Sequence, residues 1–185
     1  KSNFTSLDRA LQEADLGEQQ FSHILFDLGV GSHQLGDEAR GFSFKGEGSL
    51  SMLYSSDATL PPADASSLNM LEKRLGHYPD VLDILRAQSV DELTNLIRTY
   101  GEERHAKRVA RSVLAARPRT TAELAEAVRR VVPRSKDGID PATRTFQAIR
   151  ILVNSELDEL DTLLRALPEV LATGGIAALI SFHSL

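Results

Sequence analysis

The sequence contains no cysteine at any of its 185 positions. This absence excludes disulfide bonds, thiolate metal sites and thiol nucleophiles, and it is neutral about the redox compartment. No apolar run approaches the roughly 18 residues of a membrane-spanning helix, and Lys1 to Asp8 lacks the charged-then-apolar pattern of a signal peptide. The five histidines are scattered without ligand spacing, so no metal site is expected. We therefore expect a soluble protein with no membrane partner.

The formal net charge of −5 hides an uneven distribution of charge along the chain. The segment from Arg98 to Lys136 holds 11 Lys or Arg and 4 Glu, whereas the remainder holds 10 basic and 22 acidic residues. A local excess of cations is expected of a surface that contacts phosphates. Solvated helix faces would give the same composition, and charge alone does not separate the two interpretations.

Apolar spacing predicts two buried strands separated by a block of helices. Residues Ser6 to Ala14 have helical spacing, and the apolar run Ile24 to Phe26 predicts a strand that ends at Asp27. Helical patterns begin after Pro79, and a second apolar run, Ile176 to Phe182, predicts the other strand. Two strands separated by helices predict an α/β fold with an inserted helical subdomain.

Capping residues predict where the longer helices begin and end. Thr120 with Glu123 forms a capping-box pattern, and Pro133 should end the helix that follows. The acidic cap and proline of residues 140–141 predict the start of a long amphipathic helix, broken near Asn154. This helix should extend to about residue 167.

Composition divides the chain into four predicted segments. Residues 49–69 are rich in Ser, Asp, Ala and Pro without a clear period, which predicts a surface loop. The predicted boundaries are residues 1–48 for the first part of the α/β domain, 49–78 for a loop insertion, 79–140 for a basic helical subdomain and 141–185 for the return to the α/β domain.

Five strings carry a resemblance to a known family. They are HILFDLGVGSHQL (23–35), RGFSF (40–44), TYGEERHAKRVAR (99–111), PATRTFQAIRILVNSELDEL (141–160) and GGIAALISFHSL (174–185). In this order they resemble the signature blocks of the RsmH (MraW) family, which uses S-adenosylmethionine to methylate N4 of a cytidine in the decoding region of small-subunit ribosomal RNA. The resemblance implies a Rossmann-like methyltransferase sheet with a helical subdomain inserted after the strand that ends in Asp27.

The resemblance implies which residues hold S-adenosylmethionine. The cofactor residues of the family carry over to Phe4, Asp27 and Gln34, since an aromatic face can pack on adenine, a carboxylate can accept from an amino group and an amide can do either. The glycine-rich first motif of the family and the acidic residue after its second strand are missing, and relatives continue beyond Leu185. We therefore expect the chain to be part of a longer protein.

The implied reaction is a direct displacement in which cytidine N4 attacks the sulfonium methyl group. The amine is a poor nucleophile because its lone pair is delocalised into the ring, so the site needs an acceptor for its N–H groups. Asp27 is the candidate acceptor, although it is also a cofactor candidate. Asn154 and His183 are the other catalytic candidates, and each has a structural alternative, as a helix interruption or a hydrogen-bonding group after a strand. Three aromatic residues could stack on a flipped-out base or pack in the core, namely Phe42, Phe44 and Phe182. Core packing is favoured for Phe44.

Candidate RNA contacts lie in and after the basic segment. The cations at i, i+3, i+4 and i+7 spacing, which should share one helix face, are Arg104, Lys107, Arg108 and Arg111. Glu102 and Glu103 lie beside them and could pair with part of this charge. Arg144 and Arg150 are each either a further RNA contact or part of a structural pair. The implied partner is small-subunit ribosomal RNA or its assembly particle, with ribosome assembly proteins as further candidates.

Departures from the family blocks leave two functions open. Relatives have SSPQL where this chain has GSHQL (31–35), so Gly31 and His33 replace a serine and a proline. Relatives have PLDMRM where this chain has SLSMLY (49–54), so Ser51 and Leu53 replace an acid and an arginine beside the expected site. The protein is either an active rRNA cytidine-N4 methyltransferase or a ribosome assembly factor with weakened or lost catalysis. A DNA amino-methyltransferase is disfavoured because no PPY-type motif follows Phe26. The expected compartment is bacterial cytoplasm or the mitochondrial matrix, and the sequence divergence favours the mitochondrion.

Overall fold

The computed structural model describes residues 7–17, 19–28, 41–43, 48–54, 75, 79–134 and 138–181. Within these residues, helix α1 (Leu7–Glu13) and strand β1 (Phe21–Asp27) come first. The helices that follow are α2 (Val81–Ala87), α3 (Val90–Gly101), α4 (Ala106–Ala116), α5 (Thr121–Arg129), α6 (Thr143–Val153) and α7 (Glu156–Val170). Strand β2 spans Leu171–Ile180. No helix in the described ranges is long and apolar enough to cross a membrane.

The chain forms two compact units. Unit 1 comprises Lys1–Gly31, Pro62–Asp64 and Leu157–Leu185, and its described part holds α1, both strands and most of α7. Unit 2 comprises Ser32–Pro61 and Ala65–Glu156, and its described part holds α2 to α6. The domain boundaries drawn from composition stay predictions.

The two strands pair in parallel, which confirms the predicted α/β architecture with helices between the strands. Asp27 lies opposite Ile180, and the register shifts between Phe21 and His23. Strand β2 begins at Leu171, before the predicted start, and it includes Gly174, whose φ of +79° marks an irregular stretch of the strand.

The prediction that both strands are buried is wrong for the described residues. Phe26 is buried, but Leu25 is 66% exposed and Ile176 is 58% exposed. Parallel strands are buried when helices cover both faces of their sheet. Among the described residues, neither α1 nor the unit 1 part of α7 packs extensively on β1 or β2, and part of the apolar surface of this strand pair is exposed.

Unit 2 has a helical core, which confirms the helical periodicity predicted after Pro79. Helix α3 packs against α4 and α6, and α4 packs against α5. The largest fully buried side chains of these helices are Ile84, Leu93, Ile97, Val109, Val113, Leu124, Val128 and Ile149. Gly101 is required where α3 meets α6, because a Cβ built there would lie 2.4 Å from the backbone oxygen of Arg144.

The starts of α5 and α6 differ in detail from the capping predictions. The Thr120 hydroxyl accepts the backbone N–H of Glu123 at 3.2 Å, as a capping box requires. The Glu123 carboxylate, however, accepts the N–H of Arg119 and not that of Thr120. Helix α6 begins at Thr143 and not at the proline, although the Asp140 carboxylate accepts the Ala142 N–H at 2.9 Å. Helix α5 ends at Arg129, four positions before Pro133, which was expected to end it.

The predicted break near Asn154 is confirmed. Helix α6 ends at Val153, and Ser155 adopts a φ of +49° before α7 begins at Glu156. Helix α7 then continues through Pro168 to Val170, slightly beyond the predicted end.

The start of the predicted surface loop is packed in unit 2. Leu50 and Met52 are fully buried, and Ser49 forms an antiparallel bridge with Thr120. The Thr121 N–H also donates to the Gly48 carbonyl at 3.1 Å. Because their side chains fill the core, residues 48–54 are held against the helices although they contain no helix or strand.

Candidate functional site

Four exposed cations occupy the outer face and start of α4. Lys107, Arg108 and Arg111 lie on the helix and Arg104 lies in the turn before it, while the apolar residues of the helix are buried. In the part of the chain that the structure describes, Arg104, Arg108 and Arg111 form no ion pair. Lys107 Nζ lies 4.0 Å from Asp91 Oδ1 on an exposed surface, where such a pair contributes little. This face therefore keeps most of its positive charge.

Glu103, the acidic residue before Arg104, accepts a backbone hydrogen bond. Glu103 is only 4% exposed, and its Oε1 accepts the backbone N–H of His105 at 2.7 Å. Arg144 reaches the same end of α4, where its Nη1 donates weakly to the Glu102 carbonyl at 3.5 Å. The structure therefore brings Arg144 to the same region as Arg104.

Asn154 ties residues 52–54 to the end of α6. Its Nδ2 donates to the carbonyls of Met52 at 2.7 Å and Arg150 at 3.0 Å, and its Oδ1 accepts the Tyr54 N–H at 2.8 Å. The residue is 8% exposed. A primary amide has two donor and two acceptor positions, so most of this capacity is used inside unit 2. This geometry gives Asn154 a positioning role, and its catalytic role stays a prediction.

A half-buried ion pair extends this network. Arg150 Nε and Nη2 donate to the Glu156 carboxylate at 2.7 and 3.1 Å, and Tyr54 Oη donates to the same carboxylate at 2.7 Å. Burial alone would lower the pKa of Arg150, but the hydrogen bonds to Glu156 and its charge outweigh burial and raise it. Phe42 stacks on Tyr54 with ring centroids 5.6 Å apart and is buried, which favours its packing role over base stacking.

A groove of about 330 Å³ lies in unit 2 where α4 and α6 begin. Its basic and apolar lining includes Arg104, His105, Val132, Pro133, Ile139 and Arg144. Asp140 also lines the groove, but Arg129 Nη2 binds its Oδ2 at 2.7 Å. Burial opposes ionisation of Asp140, yet the hydrogen bonds from Arg129 and from the Ala142 N–H outweigh burial and lower the pKa of this carboxyl.

Asp27 is the last residue of β1, at the carboxyl end of the parallel pair. Its side chain is exposed, and no described residue bonds to its carboxylate. The backbone beyond it stays paired, because the Leu28 N–H donates to the Ile180 carbonyl at 3.0 Å. Open α/β sheets place ligand groups at this edge. An available carboxylate there fits either the amino group of S-adenosylmethionine or the amine of a cytosine.

A family model described as the MraW methylase family matches residues 1–185, the whole of this chain. The chain belongs to the MraW methylase family. The family that the five sequence strings predicted is therefore confirmed. Membership also agrees with the parallel strand pair and the helices between its strands.

Curated relatives of this MraW-family chain carry the name ribosomal RNA small subunit methyltransferase H. That of Rhodospirillum centenum is 46% identical over 88% of this chain and 44% of its own length. The relative from Sorangium cellulosum is 43% identical over 98% of this chain and 53% of its own length. The relative from Anaplasma phagocytophilum is 40% identical over 100% of this chain and 58% of its own length. The chain spans about half the length of the curated relatives it matches. These relatives are bacterial proteins and do not support the predicted preference for the mitochondrion.

Several predicted site residues of the MraW-family chain lie outside the described residues. These are the cofactor candidates Phe4 and Gln34, the catalytic candidate His183, the aromatic residues Phe44 and Phe182, and the departures Gly31 and His33.

Asp27 belongs to unit 1, whereas Asn154 and the predicted RNA-binding cations belong to unit 2. The departures Ser51 and Leu53 are half-buried beside Met52. Within the described ranges, no three His, Asp or Glu side chains are grouped as metal ligands.

Sequence analysis left Arg150 open as an RNA contact or part of a structural pair, but it did not identify Glu156 and Tyr54 as members of its network. The arginine and the glutamate are six positions apart across a helix break, so they do not have the i, i+3 or i+4 spacing of a helical pair. The tyrosine is about a hundred positions away in sequence. The string VNSEL within 153–157 was the one available signal, because it places a polar break directly before an acidic helix start.

Proposed function

We propose that the protein containing this chain transfers a methyl group from S-adenosylmethionine to N4 of a cytidine in the decoding region of small-subunit ribosomal RNA. The observation that carries the proposal is the row of exposed, largely unpaired cations on α4 in a chain of the MraW methylase family. Relatives named as methyltransferases of small-subunit ribosomal RNA support the substrate class.

The RNA backbone is bound by unit 2 in this proposal. Its phosphate contacts are Arg104, Lys107, Arg108, Arg111 and Arg144. Among the described residues, Arg104, Arg108 and Arg111 form no ion pair, and exposed cations of this kind can bind phosphate with release of counterions. The partner is therefore the ribosomal RNA itself or an assembly particle that presents it, with assembly proteins as secondary partners.

Asp27 holds an amino group in the reaction. S-adenosylmethionine, when bound, supplies the electrophilic methyl group, and the resemblance to the family implies contacts from Phe4, Asp27 and Gln34. The Asp27 carboxylate lies at the carboxyl edge of β1, where it can accept an N–H bond either from the cofactor or from the cytidine amine. Accepting from the cytidine amine would orient its lone pair toward the methyl group.

The substitution Asp27→Asn separates these two roles in the full-length protein. If Asp27 orients the cytidine, single-turnover methyl transfer falls by about 100-fold or more while the calorimetric affinity for S-adenosylmethionine is unchanged. If Asp27 binds the cofactor, the affinity itself falls. Unchanged transfer and unchanged affinity would remove Asp27 from the site.

A double substitution tests the RNA surface. Arg108→Ala with Arg111→Ala should lower the slope of log affinity against log salt concentration by about 2, since each phosphate contact contributes about 1. The matched control is Arg9→Ala with Arg165→Ala, which removes the same charge from exposed ion pairs of unit 1. Equal effects of the two pairs would contradict a specific RNA face on α4.

A second function, a ribosome assembly factor with weakened catalysis, is favoured by one feature of unit 2. Residues 52–54 are held through the backbone atoms of Met52 and Tyr54, so the fold tolerates Ser51 and Leu53 in place of the acid and arginine of relatives. A protein without them would keep its RNA surface. Binding to the assembly particle without methyl transfer would select this alternative.

A further inference from the structure

The groove where α4 and α6 begin combines two chemical features that phosphate binding alone does not need. The cations Arg104 and Arg144 line its basic part. The apolar side chains of Val132, Pro133 and Ile139 also belong to the lining. Its volume of about 330 Å³ is at the lower end of the roughly 300–1,000 Å³ of small-ligand sites.

The electrostatics of the groove favour an anion at its basic part. Arg104 forms no ion pair with any described residue, and Arg144 has only the weak bond to a backbone carbonyl at 3.5 Å. The acids of the lining are already bound, Glu103 by the His105 N–H and Asp140 by Arg129. The Glu103 and Asp140 carboxylates already lie at the starts of α4 and α6, so the positive charge left for a ligand is that of the two arginines.

The apolar residues of the groove are partly open to solvent. Ile139 is 52% exposed. Val132 is half-buried, and Pro133 is exposed. A flat apolar ligand surface attached to a phosphate would cover these residues while its anion contacts the arginines.

We propose that this groove binds one unpaired nucleotide of the RNA, with its phosphate at Arg104 and Arg144 and its base against Ile139, Val132 and Pro133. A base in a duplex has its faces stacked and its edges paired, so only an unpaired base can contact such a wall. The inference rests on the proposed function, because it specifies which form of RNA unit 2 recognises.

The test compares two RNA probes with the full-length protein by fluorescence anisotropy. One probe is a short unstructured oligonucleotide, and the other is the same oligonucleotide annealed to its complement. Ile139→Ser should weaken binding of the single strand about fivefold and leave the duplex unchanged, because it removes only the apolar contact. The matched control Leu164→Ser changes a side chain of similar exposure, 45%, on α7 of unit 1 and should affect neither probe.

Two further measurements keep the groove testable. Arg144→Gln should weaken both probes and lower the salt slope by about 1, since it removes a phosphate contact. Photo-crosslinking with a single strand that carries 4-thiouridine should label a peptide that contains Val132 to Arg144.

The outcomes separate the groove from the proposed function. If wild-type protein binds RNA but Ile139→Ser behaves like Leu164→Ser, or weakens both probes equally, the nucleotide groove is wrong while the RNA surface stands. Crosslinks confined to other peptides would overturn it in the same way. If wild-type protein binds neither probe nor the assembly particle, the proposed RNA-binding function fails together with the groove.

Discussion

Removal of the Asn154 side chain should destabilise unit 2 strongly. The amide makes three hydrogen bonds, to the carbonyls of Met52 and Arg150 and from the N–H of Tyr54. In Asn154→Ala the Arg150 carbonyl keeps a partner, because the backbone N–H of residue 154 also donates to it at 3.1 Å. The two bonds lost without a replacement from residue 154 are therefore those to the Met52 carbonyl and from the Tyr54 N–H.

The magnitude follows from these two groups. Leaving a buried backbone donor or acceptor unsatisfied costs about 1–3 kcal/mol, and water can reach the half-buried Tyr54 more easily than the fully buried Met52. We expect the free energy of unfolding of unit 2 to fall by about 2–4 kcal/mol. Asn154→Asp should cost at least as much, because it turns a carboxylate oxygen toward the Met52 carbonyl.

Urea unfolding of the full-length protein, followed by hydrogen exchange of the amides of unit 2, measures this loss. Asn95→Ala is the matched control, because Asn95 is exposed in the middle of α3, where alanine favours the helix. A change below about 0.5 kcal/mol in Asn154→Ala, within the range of ordinary surface substitutions, would refute the positioning role. A loss of methyl transfer without loss of stability would instead support a direct catalytic contact.

Two further substitutions probe the packing and the electrostatics of unit 2. Gly101→Ala places a Cβ against the Arg144 carbonyl and should lower stability by about 1–3 kcal/mol in urea unfolding, and an unchanged midpoint would contradict the close approach of α3 and α6. Asp140→Asn removes a carboxyl whose folded-state pKa is lowered, mainly by Arg129 acting against burial. The wild type should therefore be more stable by at most about 1 kcal/mol above the unfolded pKa of about 3.9, and this difference should disappear as the pH falls through the lowered value. A difference that grows toward acid pH would show that the sign is wrong.

The helices of unit 2 could be predicted from sequence because their signals are local. The apolar spacing of α3 and α4 and the break at Asn154 depend on neighbours within one or two turns. The exposed cations of α4 followed from the same spacing. Family strings extended the prediction to the parallel strand pair, which no local pattern could specify.

The failures concern interactions between distant residues. Burial of β1 and β2 depends on what covers their faces, and an apolar run cannot report this. Leu50 and Met52 pack in a core built by helices far along the chain, so their segment has the composition of a loop. The groove near Ile139 arises where two helix starts meet, and no single stretch of sequence describes it.

The central claim is that the full-length protein methylates a cytidine of small-subunit ribosomal RNA at N4. The direct measurement incubates it with isotope-labelled S-adenosylmethionine and small-subunit RNA or its assembly particle, then identifies the modified nucleoside and its position by mass spectrometry. We predict one labelled N4-methylcytidine in the decoding region, reduced in the Asp27→Asn variant. Label on another base, or no label while the protein still binds the particle, would contradict the claim.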